Sequence, residues 1–401
     1  LLFLKTAAEE NNMTRKIQTL NAISKKGLSR LPEGYTIAND LSNPDAILVR
    51  SQAMHELPIP ASVMAIGRAG AGTNNIPVKA MSDRGVVVFN APGANANAVK
   101  ELVIAGMLMG TRNIFPALKF VSGLVGDDES LHKQVEAGKK HFVGHELRGS
   151  TLGIVGLGAI GSMLAQAAID LGMNVIGYDP EITVDAAWRL PSQVRKAASI
   201  DELVKRADFI SLHVPFLPST KDLINADRVK LMKKGCVLLN FAREGIVNEP
   251  AVLDGLNEGR IQAYVCDFPS NLLRTHSHFV SLPHLGASTE EAEENCAIMV
   301  VDQVADYLEN GNILNAVNFP NISMPRESGF RLAISNANVP NMLGQISTTL
   351  AGAGLNIHNM VNKSRNELAF TLVDVDVAVP QTIIDQLAGI SGVLRVRYLP
   401  G

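Results

Sequence analysis

The sequence predicts a multidomain α/β protein in which two parallel, doubly wound sheets precede a small α+β unit. Three observations carry that prediction. Short apolar runs alternate with polar, helix-compatible stretches up to residue 282; a glycine-rich turn joins one such run to a helical pattern; and from residue 330 the order changes to strand, helix, strand, strand, helix, strand. A chain of 401 residues also exceeds what one ordinary core organises, so two or three domains are expected.

The first small parallel α/β domain is read from the runs at 46–49, 63–66 and 86–89. The pattern recurs more strongly in the next domain, with strands expected at 152–155, 174–178, 209–213, 237–240 and 262–266 and helices between them. Residues 290–308 form one long amphipathic helix that opens on acids, which suit a helix N-terminus, and it is expected to cross back to the first domain. Residues 318–329 hold Pro320 and Pro325 and no apolar period, so they read as a linker. The final unit has strands at 331–335, 355–362, 369–377 and 393–398 and helices at 342–353 and 382–388, the ferredoxin-like order. Helical spacing at 102–109, with Met107 and Met109, predicts core or a subunit interface.

Bulk composition narrows the function. Lys+Arg (36) nearly balance Asp+Glu (39), and no strong field favours nucleic acid or an anionic membrane. Cys236, Cys266 and Cys296 are odd in number and far apart, which fits a reducing compartment, the cytoplasm, and neither a disulfide framework nor a zinc cluster. The pair His276 and His278 has no accompanying ligand cluster, so no metal is expected. The run at 1–4 is too short for a signal sequence, and the segment before Met13 is set aside. Residues 152–177 carry only Asp170 as a charge and imitate a membrane span. The four glycines within 153–161 argue instead for a strand, a tight turn and a helix start.

That turn is a Rossmann-type fingerprint: Gly156, Gly158 and Gly161 stand as G-x-G-x-x-G between a strand and a helix. The first permits the turn, the second a close approach of pyrophosphate, and the third tight packing of helix on sheet. Ala159 and Ile160 open the helix, whose free N–H groups attract phosphate. Asp179 ends the second strand, where a carboxylate accepts from both adenosine-ribose hydroxyls and repels a 2′-phosphate, so NAD is expected over NADP. Oxidising an alcohol beside this site needs a base and a cation. Arg243, in the loop NFAREG, offers a planar fork for a carboxylate. His284, in SLPHLGAST, offers proton exchange near neutrality. His213, at a strand end, reads as a wall of the cofactor cleft.

The segments GRAGAGTNNI (67–76), VVVFNAPGANANAVKELV (86–103), GLGAIG (156–161), SLHVP (211–215), LNFAREGIV (239–247), DFP (267–269) and PHLGASTEEAEENCA (283–297) together closely resemble the D-isomer-specific 2-hydroxyacid dehydrogenase family. The resemblance implies a Rossmann domain, 99–287, inserted into a discontinuous flavodoxin-like substrate domain, 13–98 and 288–317, with the active site in the cleft. It implies that Arg243 binds the substrate carboxylate and carbonyl, that His284 is the general acid/base, and that Asp267 helps hold the nicotinamide end. His213, Val214 and Pro215, then Phe241 and Ala242, then Gly286 and Ala287 are the further cofactor contacts so implied.

Within the family the match is to the branch that oxidises 3-phosphoglycerate to 3-phosphohydroxypyruvate, the first step toward serine. Arg50 and Ser51, with Gly70, Ala71, Gly72 and Asn74, would line the substrate side, Arg50 taking the phosphate and Arg68 the second choice. The family's usual glutamate, which orients and charges the histidine, is here Asn271, an amide that cannot raise the histidine pKa. Residues 330–401 resemble an ACT regulatory domain, which implies an L-serine effector at Asn336, Asn338 and Asn356 across a domain pair, and a homo-oligomer, dimer or tetramer. In that pattern Asn336 replaces a histidine and Asn341 a common glycine. Another D-2-hydroxyacid substrate, or an NAD-sensing protein with faded catalysis, are the alternatives.

Overall fold

The computed structural model describes residues 15–400, so the segment set aside before Met13 lies outside them. The described residues divide into two compact units, those up to 95 with those from 293 onward, and 96–292.

The first unit begins with β1 (Lys16–Leu20), α1 (Lys25–Leu28), β2 (Thr36–Ala38), β3 (Ala46–Val49), β4 (Ala65–Arg68), α2 (Val78–Asp83) and β5 (Val87–Phe89). The strands form a parallel sheet in the order β2-β1-β3-β4-β5. This is the flavodoxin-like order. All four residues of β3 and all three of β5 are buried, because a parallel sheet is covered on both faces and its strands read as continuous apolar runs. The same logic explains what escaped the apolar-run reading. β1 alternates Lys16 and Gln18 with Ile17, and β2 is a short, mostly exposed edge strand.

The second unit contains α3 (Ala96–Thr111), α4 (Ile114–Ser122), α5 (Asp128–Gly138), β6 (Thr151–Val155), α6 (Ala159–Asp170), β7 (Asn174–Tyr178), α7 (Val184–Trp188), β8 (Arg195–Lys196), α8 (Ile200–Arg206), β9 (Phe209–Leu212), α9 (Ala226–Leu231), β10 (Cys236–Asn240), α10 (Glu249–Asn257), β11 (Ile261–Cys266) and β12 (Phe279–Ser281). Its sheet, parallel throughout, runs β12-β11-β10-β9-β6-β7-β8. The chain winds outward from β6 through β7 to β8, then returns to β9 on the other side of β6. That reversal between β6 and β9 is the switch point at whose carboxyl ends such sheets bind ligands.

Helix α11 (Glu290–Asn310) returns the chain to the first unit, where its Val300, Val301, Val304 and Leu308 share one core with Ile17, Leu48 and Ala65. The 318–329 segment is not a free linker. Phe319, Ile322 and Met324 are buried, and Asn318 accepts from Val88 N while its Nδ2 donates to Ser82 Oγ and Val86 O. It lacks a period because it fills a groove with isolated side chains.

The last element group is β13 (Phe330–Ala337), α12 (Met342–Gly352), β14 (Ile357–Arg365), β15 (Leu368–Val375), α13 (Gln381–Ala388) and β16 (Val393–Leu399), an antiparallel sheet in the order β14-β15-β13-β16. Residues of α12 and α13 pack with Leu332, Ile334 and Val373 on one face. On the other, Ala333, Phe370 and Leu372 join the α11 core, with the Phe370 and Tyr307 rings 6.2 Å apart. This sheet is therefore covered on both faces within one unit.

Candidate active site

The cofactor cradle forms where β6 ends. Gly156 has φ 94°, a conformation that side chains resist, and a Cβ there would lie 2.6 Å from the His213 carbonyl oxygen. A Cβ at Gly161 would collide with the Gly156 carbonyl, so helix and turn close only around glycine. Gly158 is different: nothing lies within 4 Å of an added Cβ. The chain's own packing does not need that glycine, whereas a pyrophosphate drawn against the backbone does. Helix α6 then opens without a side-chain cap, which leaves the N–H groups of Ala159, Ile160 and Gly161 for an anion.

Asp179 is locked beside the cradle. Its Oδ2 accepts from Leu157 N at 2.8 Å and its Oδ1 from Glu181 N at 3.0 Å. Each carboxylate oxygen keeps a free lone pair, the capacity that two ribose hydroxyls require. These residues fit NAD.

His213 follows β9 and faces the same turn. Its Nε2 lies 2.8 Å from Ser211 Oγ, and its Nδ1 is buried with no partner. Burial pushes the imidazole down to about 4, so the ring is neutral at physiological pH. Between its ordinary value of about 6.5 and about 4, the unfolded chain binds a proton that the folded chain refuses. Stability present above that window is lost as pH falls through it, by roughly 3 kcal/mol in total. Urea unfolding of His213→Gln across this range is expected to lack that part of the slope.

Two loops leave neighbouring strand ends, each pinned by a buried side chain. Asn240, 1% exposed, closes β10. Its Oδ1 accepts from Ala242 N at 3.2 Å and its Nδ2 donates to Arg243 O at 2.9 Å, so the loop of Phe241, Ala242 and Arg243 is tied to the sheet. The exposed Arg243 side chain donates to Ala242 O at 2.7 Å. Asp267, also 1% exposed, follows β11 and accepts from Leu285 N at 2.9 Å and Gly286 N at 2.8 Å. This holds the loop that carries His284. Asp267 N in turn donates to Asn240 O at 3.3 Å, which couples the two pins.

With one N–H bond on each oxygen, the Asp267 side chain positions the His284 loop. His284 itself is exposed and has φ 55°, a left-handed conformation uncommon outside glycine. The Phe268 ring meets the imidazole edge-on, with centroids 5.3 Å apart. Asn271 is exposed, and no hydrogen bond joins it to His284. Its neighbour Ser270 is buried and donates to Glu249 Oε2 at 2.7 Å.

In the first unit, Arg50 and Ser51 follow β3. Arg50 Nη2 donates to Glu293 Oε1 at 2.5 Å, and Ser51 N donates to Asn21 Oδ1 at 3.1 Å. The loop holding Gly70, Ala71, Gly72 and Asn74 is fastened by Ala91 N on Gly70 O and by Asn90 Nδ2 on Ala71 O. Asn74 O accepts from His55, whereas Asn75 ties the loop to Gln52 O and keeps a buried Oδ1 without a partner. Sequence reasoning did not single out Asn75, Glu293, Asn240 or Phe268. Only Asn240 left a local signal, as the polar end of a buried apolar strand.

Within one chain the three expected effector asparagines lie apart. Asn336 is buried with Nδ2 on Ala337 O and Oδ1 accepting from Thr371 Oγ1, so its amide is consumed within the sheet. Asn338 and Asn356 are exposed. The register sets Ile357 and Phe330 opposite Val375, and Ala337 opposite Leu368, so Asn356 and Asn338 flank opposite ends of the sheet. Along an eight-residue strand that is roughly 25 Å, beyond the span of one amino acid.

Comparison with known proteins adds a second line. Residues 115–287 match the model of the D-isomer specific 2-hydroxyacid dehydrogenase NAD binding domain. A D-3-phosphoglycerate dehydrogenase of Haemophilus influenzae is 34% identical over 350 residues, 84% of this chain and 81% of that protein. One from Methanocaldococcus jannaschii is 40% identical over 263 residues, 64% of this chain and 48% of that protein. Among solved structures, the NAD+-bound 3-phosphoglycerate dehydrogenase of Entamoeba histolytica aligns with TM-score 0.58 at 26% identity, covering 76% of this chain and 99% of that one.

Proposed function

Because the chain belongs to the D-isomer-specific 2-hydroxyacid dehydrogenase family, we propose that it oxidises D-3-phosphoglycerate to 3-phosphohydroxypyruvate with NAD, the first step toward L-serine. The observation that carries this reading is the pair of coupled pins, Asn240 and Asp267, which hang a guanidinium loop and an imidazole loop from adjacent strand ends of an NAD-binding sheet.

The residues divide the work by chemistry. The α6 N–H groups and Asp179 hold NAD, which accepts the hydride when bound. Arg243 grips the substrate carboxylate and polarises the oxygen at the reacting carbon through its planar fork. His284 takes the hydroxyl proton and returns it in the reverse direction. Asn240 and Asp267 act through these two side chains, fixing their loops. Arg50, with Ser51 and the 70–74 loop, takes the phosphate end.

Absorbance of NADH with 3-phosphoglycerate, set beside a panel of D-2-hydroxy acids without phosphate, tests the assignment. The highest kcat/KM is expected for 3-phosphoglycerate. Preference for another hydroxy acid would move the substrate, and no NADH from any of them would overturn the enzyme reading.

The chain is assigned to the cytoplasm, in keeping with three buried free thiols. No described helix is long and apolar enough to cross a membrane. Self-association is supported by exposed apolar side chains on α4, among them Phe115, Leu118 and Val121. The opposite placement of Asn338 and Asn356 supports an L-serine site completed by a second copy. Calorimetric titration with L-serine alongside sedimentation is expected to show binding by a dimer or larger assembly; a monomer, or no heat, would retire the effector reading.

A further inference from the structure

The carboxyl edge of the first sheet brings two cations together. Val49 and Arg68 are register partners on β3 and β4, Arg50 is the next residue after β3, and Arg68 Nε donates to Arg50 O at 3.1 Å. Helix α11 lies against these strands because two glycines admit it. A Cβ at Gly67 would sit 2.7 Å from Val300, and one at Gly27 would sit 2.7 Å from Ala297. That close approach fixes the early turns of α11, where Glu294 pairs with Lys26 at 2.7 Å and Glu293 with Arg50 at 2.5 Å. Cys296, three residues further on, is buried in the same corner. Burial pushes its thiol up, Arg68 and Arg50 act on it from the cationic side, and Glu293 opposes them.

The Arg50 and Glu293 side chains keep 37% and 40% of their surface exposed. An ion pair so open to water is weak, because solvent screens it and both side chains lose freedom in forming it. A phosphate monoester carries up to twice the charge of a carboxylate and presents three acceptor oxygens to the guanidinium fork. A hydroxy acid without a distal anion presents nothing that competes with Glu293.

We infer that Glu293 is a specificity-determining residue: its carboxylate is a built-in counter-ion for Arg50 that a phosphate group displaces and a neutral substrate tail does not. The inference rests on the assignment of Arg50 to the phosphate end of the substrate. Glu293 then sets the threshold for entering the site. It lowers affinity for the phosphorylated substrate, and it keeps Arg50 paired while smaller hydroxy acids pass.

The test compares the full-length protein with Glu293→Gln and Glu293→Asp. Glutamine still accepts from Arg50 but carries no charge. It is expected to lower KM for 3-phosphoglycerate about three- to ten-fold, with the gain in KM rather than kcat, as for an interaction equal in ground and transition states. KM for hydroxy acids without phosphate is expected to stay where it was. Inorganic phosphate, assayed as a competitive inhibitor against whichever hydroxy acid turns over, should bind more tightly to Glu293→Gln by a similar factor. Glu293→Asp, which keeps the charge, should stay near the parent. An unchanged or raised KM, together with an unchanged inhibition constant for phosphate, overturns the inference even if the parent oxidises 3-phosphoglycerate. A parent inactive on 3-phosphoglycerate whose Glu293→Gln form still binds phosphate more tightly would instead remove the substrate assignment and keep Glu293 as the counter-ion.

Discussion

Replacing His284 with Gln is expected to lower kcat for 3-phosphoglycerate oxidation by about a hundred- to ten-thousand-fold, the range over which a positioned base contributes to proton transfer. Glutamine matches the hydrogen-bonding reach of an imidazole and cannot take the proton. NAD affinity should hardly change, because the cradle at Gly156, Gly158 and Asp179 lies on other strands. Fluorescence titration with NADH beside steady-state kinetics separates the two. A variant that keeps most of its kcat would show that the proton leaves by another route and would remove His284 from the mechanism. A second arm concerns Asn271. As a neutral amide with no hydrogen bond to the imidazole, it offers His284 no charge. Asn271→Glu should favour the charged imidazolium, and since oxidation needs the neutral ring, the rising limb of the pH–rate profile should move to higher pH. An unmoved limb would mean that position 271 does not face the proton-transfer step.

What was legible in the sequence is what is determined locally. The glycine fingerprint, Asp179 and the buried parallel strands each announce themselves within a few residues, because a turn, a strand end and a covered sheet impose their demands on adjacent positions. Arg243 and His284 were legible by chemistry and loop position. Their supports were not. Nothing local shows that the oxygens of Asp267 face the N–H groups of Leu285 and Gly286, eighteen and nineteen positions away. Asn318 sits in a stretch with the composition of a linker, although its partners, Val86 and Val88, lie more than two hundred residues earlier. Glu293 looked like one more acid at a helix start until α11 set it against Arg50. In each case the physical role is a long-range contact, and composition and period carry no trace of it.

The largest stability effect is expected at a pair that the sequence reading also passed over, Arg331 and Asp374. Both side chains are 0% exposed, on neighbouring strands β13 and β15. Arg331 Nε and Nη2 donate to the two Asp374 oxygens at 2.6 and 2.8 Å. The same guanidinium reaches Asn310 O at the end of α11, Met324 O and Pro325 O, so all its donor nitrogens are used and one side chain binds the last sheet, the helix and the 324–325 segment together. Removing the carboxylate leaves a buried charge without its counter-ion. Asp374→Ala is therefore expected to cost about 3–5 kcal/mol, the range for breaking a buried pair from one side. Arg331→Lys should lose much of this as well, since an ammonium cannot reproduce the planar fork. Replacing both partners, Arg331→Met with Asp374→Leu, should recover most of the loss, because the cost of the single change is the stranded charge rather than the attraction itself. Scanning calorimetry reads the comparison, since the single tryptophan, Trp188, lies in the other unit and is blind to this one. If Asp374→Ala unfolds at the temperature of the parent, the pair is a bystander and the packing of Phe370 and Leu372 on α11 holds the sheet in place by itself; if the double variant is no more stable than Asp374→Ala, the cost is not the stranded charge.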